Sequence, residues 1–454
     1  MRIAVGQTPG TTISRWREML DRLAALVADA ARRSADVILL PECVWPAYVL
    51  ASPAVYFEAR DSGLPGPEFF LEHIRALARR HRIAVCAGYI DERPPGLLNR
   101  AALIDAEGRL RGTCDKCFLW DCDRGLFEPG QRIEPADAPW GPVGMMICAD
   151  ARLPEIPATL AARGARLILQ PTAWVNVGTA ERPWNPQPEL LIPERCRELG
   201  IPIASASKWG REGDTGFVGS SIVCDGDGQV RARCETDRTQ LIVADVELRE
   251  PRRLRMTATQ RQRLLDARPA VRPALDAGPL RVVFVPGAGE PGEPERFTSG
   301  DRAGATLVLV WPGRDAQPKT LAPQGPVVLL AGPWPKPVTV GRALIGALAD
   351  RDCDGFAPTR VLALAGVHCV AVFGDHVRER TLRCRAAENR IFVVHVGAGG
   401  LRAYAPDGNA VASSGGGPAD GARAFVLDLA QAADKHFAPG TDPFADRRPE
   451  FYAF

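Results

Sequence analysis

Lysine is almost absent from this chain, with 5 residues against 51 arginines in 454. Positions that tolerate either cation have mostly become arginine, so a retained lysine suggests a need for a compact ammonium that a guanidinium fork cannot meet. Histidine is also scarce. There are 6 in all, and the first 250 residues hold only His73 and His81. Net charge is +2, from 56 basic and 54 acidic residues, so no strong field draws the protein to nucleic acid or a membrane surface. No apolar run approaches the length of a membrane span, and the N-terminus lacks a signal-peptide core. Neither nucleic acid nor membrane is expected as a partner.

The 12 cysteines are too few for a small disulfide scaffold in a chain of this length. Cys86 and Cys369 lie in apolar, strand-like runs where reduced thiols are normal, and a reducing cytoplasm is the expected compartment. Cys114, Cys117 and Cys122 cluster, yet the first two fall on opposite faces of one expected strand. No second Cys-x-x-Cys or nearby histidine completes a tetrahedral set, so neither metal nor cofactor is expected.

Three segments carry chemistry. In Val-Gly-Met-Met-Ile-Cys148-Ala-Asp150-Ala-Arg152-Leu-Pro154-Glu155 an apolar strand ends on a thiol, and a proline-led helix start follows. A sharp strand-to-helix turn exposes a nucleophile and leaves backbone N–H groups free to bind an anion. Val37-Ile38-Leu39-Leu40-Pro41-Glu42 is a buried-strand pattern ending on a carboxylate. Thr113-Cys114-Asp115-Lys116-Cys117-Phe118-Leu119 carries a retained lysine at the end of a strand-turn-strand unit.

Glu42, Lys116 and Cys148, in that order and on those strand ends, resemble the nitrilase superfamily of carbon–nitrogen hydrolases. The match covers roughly residues 1–250. It includes the opening strand Arg2-Ile3-Ala4-Val5-Gly6-Gln7, the turn Phe127-Glu128-Pro129-Gly130, the Cys-x-Asp-x-Arg-x-Pro-Glu run and Gln170-Pro171-Thr172-Ala173-Trp174. The resemblance implies an α/β fold, an αββα four-layer sandwich, with a Glu-Lys-Cys triad acting on non-peptide linear amides.

A thiol with a pKa near ~8.5 is mostly protonated at neutral pH, so a base or cation must raise its thiolate fraction. His73 and His81 lie on an expected helix remote from every strand end, which leaves Glu42 as the natural base. In the implied cycle Glu42 takes the Cys148 proton and sulfur attacks an amide carbonyl. Lys116 and a backbone N–H near Ala149 stabilise the oxyanion. Glu42 then protonates the leaving amine and activates water against the thioester. Two residues depart from the family pattern: Asp123 stands where a second glutamate is usual, and Phe118 where histidine is common. Cys148-Ala-Asp150 resembles amidases and carbamoylases, whereas nitrile-cleaving members resemble Cys-Trp-Glu, so the expected substrate is a small amide or N-carbamoyl (ureido) compound. Trp174, Asn176 and the rest of the loop to Asn185, with Trp45, Tyr48 and Trp120, are the candidates for shaping its pocket. Acyl transfer from the same thioester to an amine, and a non-catalytic binding or scaffold role, are the competing readings.

Residues 14–33 and 68–81 carry helical spacing, with Ser14 available as a cap, and a hairpin is expected over 99–117 around Glu107-Gly108. The division read from the sequence is a catalytic domain at 1–250, an arginine- and proline-rich linker at 251–279, and a second domain at 280–454. The second domain echoes the first. Leu280–Val285 resembles the opening strand, Thr306–Gly313 the Leu-Pro-Glu segment, and Arg385-Ala-Ala-Glu388-Asn389 the family's helix end. Gly313 replaces Glu42, the lysine hairpin is shortened between Gly332 and Val340, and Ala343-Leu-Ile-Gly346-Ala lacks a nucleophile. A tandem duplication with a degenerate, non-catalytic copy is expected. Superfamily members pair two αββα units, so the copy is expected to form an intramolecular pseudo-dimer in place of a partner subunit, with further homo-oligomerisation left open.

Overall fold

The computed structural model describes residues 1–266, 280–286, 306–311, 319–324, 327–331, 334–340, 343–397, 400–411 and 424–454. They form two units, the first made of Met1–Leu254 with Ala438–Thr441 and Asp446–Phe454, the second of Arg255–Phe437 with Asp442–Ala445. The C-terminal segment thus belongs with the first unit, although the sequence division assigns it to the second domain.

The first unit begins with β1 (Arg2–Pro9), α1 (Trp16–Arg32), β2 (Val37–Leu39), α2 (Pro53–Asp61), α3 (Pro67–His81), β3 (Ala84–Arg93), β4 (Gly96–Ile104) and β5 (Leu110–Asp115). It continues with β6 (Ala136–Ala138), β7 (Gly141–Met145), α4 (Glu155–Ala162), β8 (Leu167–Pro171), α5 (Ile192–Leu199) and β9 (Ile203–Ala206). It closes with β10 (Lys208–Glu212), β11 (Thr215–Val218), β12 (Ile222–Cys224), β13 (Val230–Arg233) and β14 (Gln240–Asp245). One sheet has the order β11-β10-β1-β2-β3-β4-β5, with β14 also paired to β1; the other runs β13-β12-β9-β8-β7-β6. Helices α1 and α3 cover the first sheet, β1 to β3 face β8 and β9 of the second, and α4 and α5 cover that sheet's outer side. This is an α–β–β–α stack.

Local sequence explains the layers. α1 buries Trp16, Met19, Leu20, Leu23, Leu26, Val27 and Ala30, the expected stripe. Ser14 does not cap it. A short 3-10 turn at Ile13–Arg15 precedes the helix, and the Ser14 hydroxyl bonds Thr12 instead. β2 and β8 are buried throughout because both faces of their sheets are covered, as their uninterrupted apolar runs require. The expected hairpin is β4–β5, closed by Gly108 at φ +79.

The second unit holds α6 (Ala258–Asp266), β15 (Leu280–Pro286), β16 (Thr306–Trp311), β17 (Lys319–Gln324), β18 (Val327–Ala331), β19 (Trp334–Val340) and β20 (Ala343–Ala349). After these come α7 (Phe356–Leu364), β21 (Cys369–Phe373), α8 (Glu379–Asn389), β22 (Phe392–Gly397), β23 (Gly400–Tyr404), β24 (Ala424–Leu427) and α9 (Ala430–Ala433). Its pairing repeats that of the first unit. β15 lies parallel to β16 and antiparallel to β24, as β1 does to β2 and β14. The order β19-β20-β21-β22-β23 has the strand directions of β6-β7-β8-β9-β12. Buried ion pairs Arg195–Glu198 and Arg385–Glu388, at 2.9 and 2.8 Å, end the corresponding helices. Residues 267–279 of the expected linker, and Gly313, lie outside the described residues.

Register aligns the turn at Cys148 with its counterpart in the second unit. Gly144 pairs with Ile168 and packs on Leu160; Gly346 pairs with Val370 and packs on Leu362. Counted on from these glycines, the position of Cys148 corresponds to Asp350, which opens the same kind of 3-10 turn. Only residues 332–333 separate β18 from β19, which leaves no room for a lysine-bearing hairpin like β4–β5.

Candidate active site

Cys148 stands three residues beyond the end of β7, where the chain turns sharply into the 3-10 segment Cys148–Arg152 and then α4. Its φ is +46, a left-handed conformation that a non-glycine residue adopts at a cost of about 1–3 kcal/mol when the surroundings over-determine it. The carboxylate of Asp150 does part of that work. One oxygen accepts the N–H of Cys117 at 3.1 Å and of Phe118 at 2.8 Å; the other accepts that of Ile147 at 2.9 Å. The lysine segment and the nucleophile turn are therefore stapled by one side chain, whose carboxyl burial pushes up to about 7 against the pull of these donors. Gln170 donates to the Cys148 carbonyl at 2.8 Å and accepts the Ser205 hydroxyl at 2.7 Å, fixing the turn from β8.

Glu42 follows β2, and Lys116 follows β5. Lys116 Nζ lies 2.7 Å from Glu42 Oε1 and 2.6 Å from Asp123 Oδ2, with all three side chains wholly buried. Asp123 thus reaches the ammonium despite its shorter side chain. The turn Asp121–Asp123 brings it in, and Asp123 Oδ2 also accepts the Trp120 N–H at 2.7 Å. Asn99 donates to Glu42 Oε1 at 2.7 Å, so that oxygen is held twice. Glu42 Oε2 is buried with no hydrogen-bond partner among the described residues. It is the oxygen able to take a proton.

Electrostatics tie the thiol to this cluster. Burial pushes Cys148 up to about 12, the Glu42 carboxylate adds to the rise, and Lys116, Thr172 and the Ala173 N–H pull the other way. Burial also raises Glu42, against the attraction of Lys116. For Lys116 burial opposes the charge, but Asp123 and Glu42 outweigh it and hold the ammonium well above its ordinary value. Burial thus disfavours the thiolate next to a carboxyl group and a fixed cation, an arrangement able to ionise sulfur at the moment of attack and stabilise an oxyanion.

The expected pocket residues divide. The Tyr48 hydroxyl accepts from Lys116 Nζ at 3.4 Å and lies 3.4 Å from Cys122 Sγ. Trp120 carries the Arg152 guanidinium 4.6 Å above its ring. Trp174 is buried directly beyond Ala173, and Ala149 follows the nucleophile in its turn. Trp45 is buried and stacks on Phe70 of α3 at 5.2 Å, in the core cluster that also holds Tyr48. Asn176 spends its side chain on Gly178, Thr179 and Trp184 within its own loop, which it shapes from inside. Sequence reasoning missed Asn99, and it assigned no role to the Asp150 carboxylate or the Gln170 amide. Asp150 and Gln170 stood in quoted motifs, but Asn99 left no signal. Glu155 pairs with Arg447 at 2.9 Å, both buried. Among the described residues no group of His, Cys, Asp or Glu could hold a metal ion, no helix is long and apolar enough to cross a membrane, and all cysteines are free.

A layered α/β unit with carboxylate, ammonium and thiol gathered at strand ends defines a hydrolase of amide-like bonds. The chain belongs to the carbon–nitrogen hydrolase family, the nitrilase superfamily, whose model matches residues 2–256. It is an enzyme of C–N bonds in non-peptide amides. The omega-amidase NIT2 of Mus musculus is similar at 29% identity over 243 residues, covering 51% of this chain and 83% of that protein. The deaminated glutathione amidase of Homo sapiens is 29% identical over 249 residues, covering 51% and 73%. A crystal structure of an amidase from Nesterenkonia sp. is 28% identical and covers 54% of this chain and 89% of that one, with a TM-score of 0.46.

Proposed function

We propose that the first unit hydrolyses a small linear amide or N-carbamoyl compound through a thioester on Cys148. Glu42 is the base, Lys116 with the Ala149 N–H is the oxyanion site, and Asp123 orients Lys116. The observation that carries this is the buried cluster in which Lys116 Nζ bridges Glu42 and Asp123 beside the Cys148 thiol. A thiol at about 12 is not a resting thiolate, so its proton must leave as the C–S bond forms, and Glu42 Oε2 is the acceptor at hand. Cleavage releases the amine protonated by Glu42, and water attacks the thioester with Glu42 again as base.

The second unit is read as a degenerate copy that stands in for a partner subunit. Its repeated strand pairing and the Arg385–Glu388 pair support duplication. Asp350 at the nucleophile position and the missing lysine hairpin support loss of chemistry. Twelve free thiols suit a reducing compartment such as the cytoplasm. Intact-mass spectrometry during turnover of a panel of amides and ureido acids tests the reading. An acyl adduct on the parent, absent from Cys148→Ala, with ammonia release on at least one substrate, is expected. Ammonia release by Cys148→Ala at the parent rate would refute it.

A further inference from the structure

Lys208 is the other lysine of the first unit and is as fully buried as Lys116. The argument from scarcity applies to it equally. Lys208 opens β10 and Glu212 closes it. In an extended strand residues four apart are separated by about 13 Å, but Gly210 between them has φ +77, and Lys208 Nζ comes within 2.6 Å of Glu212 Oε1. The ammonium also donates to the Cys43 carbonyl at 2.9 Å. Glu212 Oε2 accepts the N–H groups of Tyr48 and Val49, both at 2.8 Å, and Oε1 accepts that of Thr11 at 3.2 Å.

The pair therefore grips both ends of the turn that follows Glu42. That turn opens on Cys43, left-handed at φ +36, and is backed by Gly88, where a Cβ would lie 2.7 Å from the Glu42 Cα. It also presents Tyr48, whose ring centroid is 5.3 Å from Lys116 Nζ and 5.8 Å from Lys208 Nζ. We infer that Lys208 and Glu212 are positioning residues for the base: they hold the Glu42 turn, and Tyr48 with it, against the lysine and the thiol without touching substrate. The inference rests on Glu42 being the base. Misplacing a reacting group by about 1 Å can cost on the order of 10²-fold in rate, the scale on which such a brace acts.

The test compares Lys208→Met, Glu212→Gln and the double variant with the parent, in the full chain, on an amide that the parent turns over. kcat is expressed per folded protein, taken from the amplitude of the cooperative melting transition, so that unfolded protein does not count. Each single variant should lose roughly 10- to 100-fold in kcat, with KM moving by less than about threefold. The double variant, which removes both buried charges together, should recover melting temperature without recovering kcat. A kcat within about threefold of the parent in all three variants, or a kcat that recovers together with melting temperature, overturns the inference. Glu42→Gln measured alongside separates the two readings. If it keeps parental activity there is no base to position; if it is inactive while the pair variants run at the parent rate, the positioning role alone fails.

Discussion

Replacing Glu42 by Gln should move two rates at Cys148 in opposite directions. Burial and then the Glu42 carboxylate lift the thiol to about 12, so near pH 7.5 the thiol form dominates. Turnover thus depends on proton removal during attack, and losing the base should cost about 10²–10⁴-fold. The same substitution removes the anion that raises the thiol while Lys116 remains. The Cys148 pKa should fall, and iodoacetamide, which reacts with thiolate, should label it about tenfold faster per unit of fall. Ammonia release and intact-mass alkylation, each followed from pH 6 to 9, read the two rates. In the parent the acid limb of kcat/KM should lie above the ordinary carboxylate range near ~4.3, because burial raises Glu42. Activity is present above that raised value and is lost as pH falls through it; the variant should lack this limb. Retention of more than about a tenth of turnover, or alkylation no faster than in the parent, would refute the reasoning.

Lys116→Arg should reduce turnover about 10²–10³-fold, since a guanidinium does not fit between Glu42 and Asp123; steady-state ammonia release measures it. Asp123→Asn should slow turnover while leaving a detectable acylation of Cys148 by mass spectrometry, and a parental rate and pH profile would make Asp123 a bystander. Asp150→Asn turns an NH2 toward N–H donors that now meet a carboxylate oxygen. It should destabilise the fold by about 1–3 kcal/mol and lower kcat, read by thermal melting and turnover together. Arg447→Met should cost about 3–5 kcal/mol by leaving the buried Glu155 without that partner. A melting temperature unchanged within error would show the C-terminal segment to be dispensable to α4.

Much of the candidate site was legible because its groups stand at strand ends, and a strand end is a local event. The apolar runs before Glu42 and Cys148, the hairpin before Lys116 and the shortage of lysine are all one-dimensional signals. Helices α1 and α3 were legible for the same reason, since their buried stripes follow from helical period alone.

What tertiary structure decided is every contact that crosses the sequence. Whether Asp123 could reach Lys116 depended on a 3-10 turn set by packing. That Trp45 stacks on Phe70 was decided by the docking of α3 against the segment after β2. Asn99, Gln170 and Lys208 reach Glu42, the Cys148 carbonyl and the Cys43 carbonyl from strands elsewhere in the chain, and the position of Asp350 emerged only from strand register. The amino-acid sequence by itself determined which residue types end which strands, because period and composition act over a few neighbours. Which buried amide or carboxylate meets which turn was decided by the folded layers, because a hydrogen bond of under 3 Å depends on the final packing of two segments and leaves no periodic trace in either.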